Sequence, residues 1–133
     1  MEKEFIPYEQ ALALRELGFD EPCFGRYYYK ESYPMLNPNS GETELVFELG
    51  QYIKQTEITI QAPLYQQAFR WFREKYKLDG KPEYFLNDWY CFIINDMKEE
   101  DTSRRLFTEF PSYEEAELEC LKKLIEITQN TNK

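Results

Sequence analysis

Arg70, Arg73, Lys75 and Lys77 stand against the single acid Glu74 over residues 70–77, in a chain whose formal net charge is −9. Gln66, Arg70, Arg73 and Lys77 follow i, i+4, i+7 and i+11, which lines them along one face of a helix, with Trp71 at its edge. Guanidinium and ammonium groups gathered in this way suit an anion, a phosphate or an acidic partner segment, and an indole beside them offers a ring to stack on. Arg70, Trp71, Arg73 and Lys77 are therefore the candidate binding residues. The same bases also suit the helix dipole at its C-terminal half, and neutralisation by acids of the last helix, Glu114, Glu115, Glu117, Glu119 and Glu126.

Other chemistry is hard to build from this chain. It has no histidine, which removes the commonest general base and every Ser-His or Cys-His nucleophile pair. Its five glycines stand isolated at positions 18, 25, 41, 50 and 80, so neither common phosphate loop is encoded. The three cysteines, Cys23, Cys91 and Cys120, are odd in number, without a CxxC pair, and read as small buried hydrophobes. Two acids, Asp20 and Glu21, precede Cys23, the reverse of what activates a thiolate. The acidic run Asp96–Asp101 lacks the central glycine of a calcium loop and reads as a solvated hairpin tip. No catalytic residue, metal ligand or cofactor is named by these patterns. An enzyme is disfavoured, and the form left open to one is an Asp/Glu acid–base pair.

Composition sets the wider class. At 133 residues, 42% apolar, the chain matches one domain with one core, residues 1–133, with residues 31–43 as a Pro- and Asn-rich flexible loop and 129–133 as a frayed end. No run approaches the roughly 20 apolar residues that span a bilayer, and Met1-Glu2-Lys3-Glu4 does not begin a signal peptide. A soluble, cytoplasmic protein is the expectation. Excess negative charge repels phosphate backbones and argues against general nucleic-acid binding.

The elements that must position the basic face follow from periodicity. Residues 8–17 are strong helix formers closed by Gly18, with Phe19 placed to fold back on the last turn. Residues 23–30, rich in aromatics, read as a strand; in it Tyr27 and Tyr29 share a face opposite Tyr28, packed in the core with hydroxyls reaching its edge. Alternation at Leu45, Phe47 and Leu49 and at Ile58, Ile60 and Ala62 predicts two strands, joined as a hairpin through Gly50-Gln51. Tyr65, Ala68, Phe69, Phe72 and Tyr76 form the apolar stripe of a second helix over Leu64–Lys77. Residues 78–82 predict a turn, and Tyr84–Asn95 a strand apolar on both faces that belongs in the middle of a sheet. After a charged loop, Arg104–Phe110 returns as a strand. A last helix opens at Ser112 with a Ser112/Glu115 capping box and runs to about Thr128, its apolar face made by Leu118, Leu121, Leu124 and Ile125. Helices separated by strand pairs predict an α+β protein, a mainly antiparallel sheet of four to five strands with three helices packed against it.

One pattern recurs at three predicted helix starts: Pro7-Tyr8-Glu9-Gln10-Ala11, Pro63-Leu64-Tyr65-Gln66-Gln67-Ala68 and Pro111-Ser112-Tyr113-Glu114-Glu115-Ala116. It reads as a repeated local solution in which proline stops a strand and acids or amides suit the first turn. Three segments, residues 5–24, 68–76 and 112–127, together resemble a family of short uncharacterised proteins from Bacteroidetes genomes and the bacteriophages that infect them. The resemblance covers about half of the chain and brings no assigned activity or site residue. It implies a phage or mobile-element setting, in which a small acidic protein acts by binding a host component. The expected function is thus a non-enzymatic interaction protein whose partner is an unknown host protein. A small, nucleotide-like anionic ligand on the basic helix is the alternative, and a carboxylate-based enzyme the third reading.

Overall fold

The computed structural model describes residues 2–30, 42–47, 59–98 and 103–131. The chain divides into two compact units, Met1–Leu64 and Tyr65–Lys133. The architecture is α+β, and among the described residues every strand pair is antiparallel. The described strands form two sheets of three, one in each unit, in place of the expected single sheet of four to five.

In the first unit, Tyr8–Glu16 form α1. The helix stops as its sequence predicts. Gly18 takes φ 101°, its N–H donates to the Arg15 carbonyl at 3.0 Å, and the Phe19 N–H donates to the Leu14 carbonyl at 2.9 Å. These paired bonds satisfy carbonyls left over at the helix end and turn Phe19 inward, where it is buried with Leu14.

Strand β1, Gly25–Lys30, lies between β2, Glu42–Phe47, and β3, Thr59–Ala62. The expected hairpin between the second and third strands is therefore corrected: both pair with β1, in the order β2-β1-β3. This arrangement gives the β1 backbone partners on both edges, which a β2–β3 hairpin would have left unmet. The turn expected at Gly50-Gln51 and most of the expected 31–43 loop lie outside the described residues. At the start of β1, Gly25 opposes both Phe47 and Ala62. A Cβ there would stand 2.7 Å from Phe5 Cε1, so the missing side chain is what lets the Phe5 ring lie on the strand. Tyr27 packs edge-on to Tyr8 at 5.6 Å and its hydroxyl donates to the Ile6 carbonyl at 2.7 Å, the core packing with a satisfied hydroxyl that its position predicts. Phe5 bridges Leu64, and the Ile6 N–H donates to the Pro63 carbonyl at 3.0 Å. The proline segments that precede the first two helices thus run side by side.

In the second unit, α2, Tyr65–Lys75, is followed by β4, Leu78–Leu86, β5, Trp89–Asp96, β6, Ser103–Phe110, and α3, Tyr113–Thr131. The sheet order is β4-β5-β6. Central β5 carries Cys91, Phe92, Ile93 and Ile94, all buried, as a strand apolar on both faces requires. Two expectations are corrected. Residues 78–82 are the beginning of β4 and not a turn; Pro82 is tolerated because β4 is an edge strand. Gly80 opposes Ile94 and lies under α3, where a Cβ would come within 2.8 Å of Leu124 Cδ1. The single strand expected over Tyr84–Asn95 is two strands joined by Asn87-Asp88. Both residues have positive φ, 54° and 63°, as the tight two-residue hairpin turn demands.

Helix α3 opens where Ser112 places it, the serine hydroxyl accepting the Glu115 N–H at 3.2 Å. Ala116, Cys120, Leu121, Leu124 and Ile125 are buried. The helix continues to Thr131, past the expected end and into the stretch expected to fray, with the Thr128 and Thr131 hydroxyls donating back to the Leu124 and Ile127 carbonyls. Among the described residues, no helix is long and apolar enough to cross a membrane.

Candidate functional site

The basic surface of α2 is built as follows. Tyr65, Ala68, Phe69 and Phe72 of the apolar stripe are buried, which turns Gln66, Arg70 and Arg73 outward, all exposed. Arg73 Nη1 lies 3.7 Å from Asp79 Oδ1 on β4, with the arginine side chain 47% exposed. The acid that Arg73 meets thus comes from the following strand and not from the last helix, and a loose pair this exposed holds the guanidinium weakly.

Two members of the sequence-predicted site fall elsewhere. Trp71 is buried at 5% exposure. Its ring stands edge-on to Phe72 at 5.1 Å and to Tyr76 at 5.3 Å, and the Lys75 ammonium sits 5.1 Å from its centroid. The indole is therefore part of the packed interior and offers no open stacking face, because the apolar sector of α2 is wide enough to take in its neighbour to Phe72. Lys77 is exposed, but the helix ends at Lys75 and Lys77 takes φ 58°. Its carbonyl accepts the Met97 N–H at 2.8 Å, so this position acts through its backbone, tying the α2–β4 junction to the end of β5. The i+11 relation to Gln66 does not survive the helix end. The structure leaves Arg70 and Arg73 together on the exposed face.

Cys120 is buried, and burial, with Glu117 and then Asp79 nearby, pushes its thiol pKa well above the ordinary range. Cys23 is half-buried and its Sγ donates to the Glu21 carbonyl at 3.3 Å. Among the described residues no Asp or Glu is buried, so they hold no enclosed carboxylate pair. No group of three or more metal-ligating side chains gathers among them either.

A second surface was not singled out by sequence. At the turn end of the β4–β5 hairpin, Tyr84 is 59% exposed, Leu86 47% and Trp89 39%, with Phe85 also exposed. The register slips between Tyr84 and Leu86, leaving Phe85 as an extra residue in β4. Trp89 and Tyr90, adjacent on β5, point to opposite faces. On one face Tyr84 meets Tyr90 edge-on at 5.7 Å, and Tyr90 meets Tyr113, the first residue of α3, at 6.0 Å. Tyr113 is 44% exposed. The Tyr84 hydroxyl accepts the Asp88 N–H at 3.3 Å and so reaches the turn itself. Reading Asn87-Asp88 as a turn places Leu86 beside Trp89, and the extra residue Phe85 then brings Tyr84 beside Tyr90. Comparison of the chain with protein-family models, with curated proteins and with solved structures gave no match in any of the three.

Proposed function

We propose that this is a non-enzymatic binding protein that docks a partner protein through the open end of the β4–β5 hairpin. The observation that carries the reading is the concentration of exposed large side chains there, Tyr84, Phe85, Leu86 and Trp89 within one short hairpin, continued by Tyr113. Large apolar and aromatic side chains exposed on both faces of one hairpin end cost solubility when left in water, and aromatic side chains are the groups that most often anchor protein interfaces. The resemblance to the Bacteroidetes and phage family supports a partner supplied by a bacterial host. Proteins retained from a host lysate by the full chain test the reading. They are expected to be lost with Tyr84→Ala/Trp89→Ala and kept with Arg70→Glu/Arg73→Glu. A retained set that the hairpin variant leaves unchanged contradicts it.

A second reading is favoured by the exposed arginine pair on α2. Arg70 and Arg73, one turn apart, suit a small anionic, nucleotide-like ligand. A thermal-shift panel of nucleotides tests it, since a ligand at 100 times its dissociation constant stabilises by about 2.7 kcal/mol. A flat panel contradicts this reading.

A further inference from the structure

The tyrosines at the hairpin end form a line, and acidic residues neighbour both of its ends along the chain. Tyr84, Tyr90 and Tyr113 succeed one another edge to face at 5.7 and 6.0 Å. Asp88, whose N–H donates to the Tyr84 hydroxyl, lies at one end, and Glu114 and Glu115 follow Tyr113 in the first turn of α3 at the other. All three acids are exposed. Elsewhere in the same unit acids meet bases: Asp79 with Arg73, Glu83 with Lys81, Glu119 with Lys122 and Glu126 with Lys123. Asp88, Glu114 and Glu115 make no ion pair with any described side chain.

An apolar partner face would have to cover these carboxylates without an opposite charge, which costs desolvation with nothing returned. A second copy would bring its own negative charge, −9 per chain, to a surface already acidic. A basic segment meets both demands. Lysine and arginine heads are attracted to the faces of tyrosine rings and pair with the flanking carboxylates, while their aliphatic stems cover the rings. The edge of β4 is poorly suited to adding a partner strand, since Pro82 lacks an N–H and the strand is irregular at Phe85. Side chains, not a shared strand ladder, are left to make the contact.

We infer that the Tyr84–Tyr90–Tyr113 line, bounded by Asp88, Glu114 and Glu115, receives a Lys/Arg-rich segment of a partner protein. This rests on the docking reading above and names the chemistry of its partner.

The test uses the full chain and a short fluorescein-labelled peptide of alternating Lys, Gly and Arg, followed by fluorescence anisotropy at low ionic strength, where charge pairing is least screened. The basic peptide is expected to bind, and a Glu/Gly peptide of equal length is not. Tyr84→Ala/Tyr113→Ala and, separately, Asp88→Asn/Glu114→Gln/Glu115→Gln are each expected to weaken binding about tenfold. Should the alanine pair unfold the chain, the carboxamide variant carries the test. Absence of basic-peptide binding overturns the inference, as does basic-peptide binding that neither variant weakens, which is attraction to net charge alone. A Leu/Gly peptide that binds as tightly as the basic one, and is released by Tyr84→Ala/Trp89→Ala, overturns the basic occupant while leaving the docking reading standing. A concentration-dependent dimer abolished by Tyr84→Ala/Tyr113→Ala overturns it in favour of a second copy. If no peptide and no dimer depends on any hairpin residue, both readings fall together.

Discussion

Gly80 and Leu124 touch so closely that a Cβ on the glycine would stand 2.8 Å from Leu124 Cδ1 and 3.0 Å from Cys120 Sγ. Leu124 and Cys120 are both fully buried, so neither has open space to move into. Gly80→Ala is therefore expected to cost about 1–3 kcal/mol by overpacking, measured by urea unfolding. Leu124→Ala opens room at the same point, so the double variant should cost less than the two single variants together. Additive losses would show that α3 does not close on β4 at Gly80.

Lys77 has a left-handed backbone, φ 58°, with an exposed side chain. A residue with a Cβ is disfavoured there, and glycine is not. Lys77→Gly should stabilise the chain by about 0.5–1 kcal/mol and raise its melting temperature. Loss of stability would mean that the lysine side chain itself holds the α2–β4 junction.

The Ser112 hydroxyl accepts the Glu115 N–H at the start of α3. Ser112→Ala is expected to cost about 1 kcal/mol, and Ser112→Asp, which keeps an acceptor beside the positive helix end, much less. Equal losses in the two variants would remove the capping role.

Cys120 gives the stability a defined response to pH. Its thiol pKa is raised by burial, with Glu117 and Asp79 adding to the effect. In the unfolded chain the thiol ionises near its ordinary value, about 8.5, while in the folded chain it keeps its proton. Above that pH the unfolded state binds fewer protons, so this residue's contribution to stability falls with rising pH and is at its fullest below it. The slope approaches about 1.4 kcal/mol per pH unit. Urea unfolding across the alkaline range should show it, and Cys120→Ala should reduce it. A slope unchanged in that variant would contradict the assignment.

What could be read from residue types was the punctuation of single elements. Gly18 with Phe19, the Ser112 cap and the doubly apolar run at Cys91–Ile94 each act through local geometry, and each stands where the sequence places it, although of the Ser112/Glu115 box the bond shown is the one from the Glu115 N–H to the serine hydroxyl. Pairing between distant segments was not legible. The alternation of β2 and β3 gives their faces but not their neighbour, and both turn to β1. Gly80 and Pro82 carry the chemistry of a turn, yet one serves a close helix contact and the other an exposed edge. Asn87-Asp88 is a turn hidden inside a continuous apolar pattern, because aromatic residues flank it without a glycine. That turn and the irregularity at Phe85 together bring Tyr84 beside Tyr90, and neither has a signature in the residue pattern. At the basic helix, periodicity placed Arg70 and Arg73 correctly on the open face, but a wheel drawn past Lys75 misplaced Lys77, and the width of the buried sector took in Trp71.

The claim that the β4–β5 hairpin end is the docking surface is tested most directly by hydroxyl-radical footprinting of the full chain, with and without saturating Lys/Gly/Arg peptide. Tyr84 and Tyr113 are expected to be protected, while Phe24 and Met97, at 56% and 50% exposure, react as they do in the free protein. Protection at Phe24, or none at Tyr84 and Tyr113 under saturation, would contradict it.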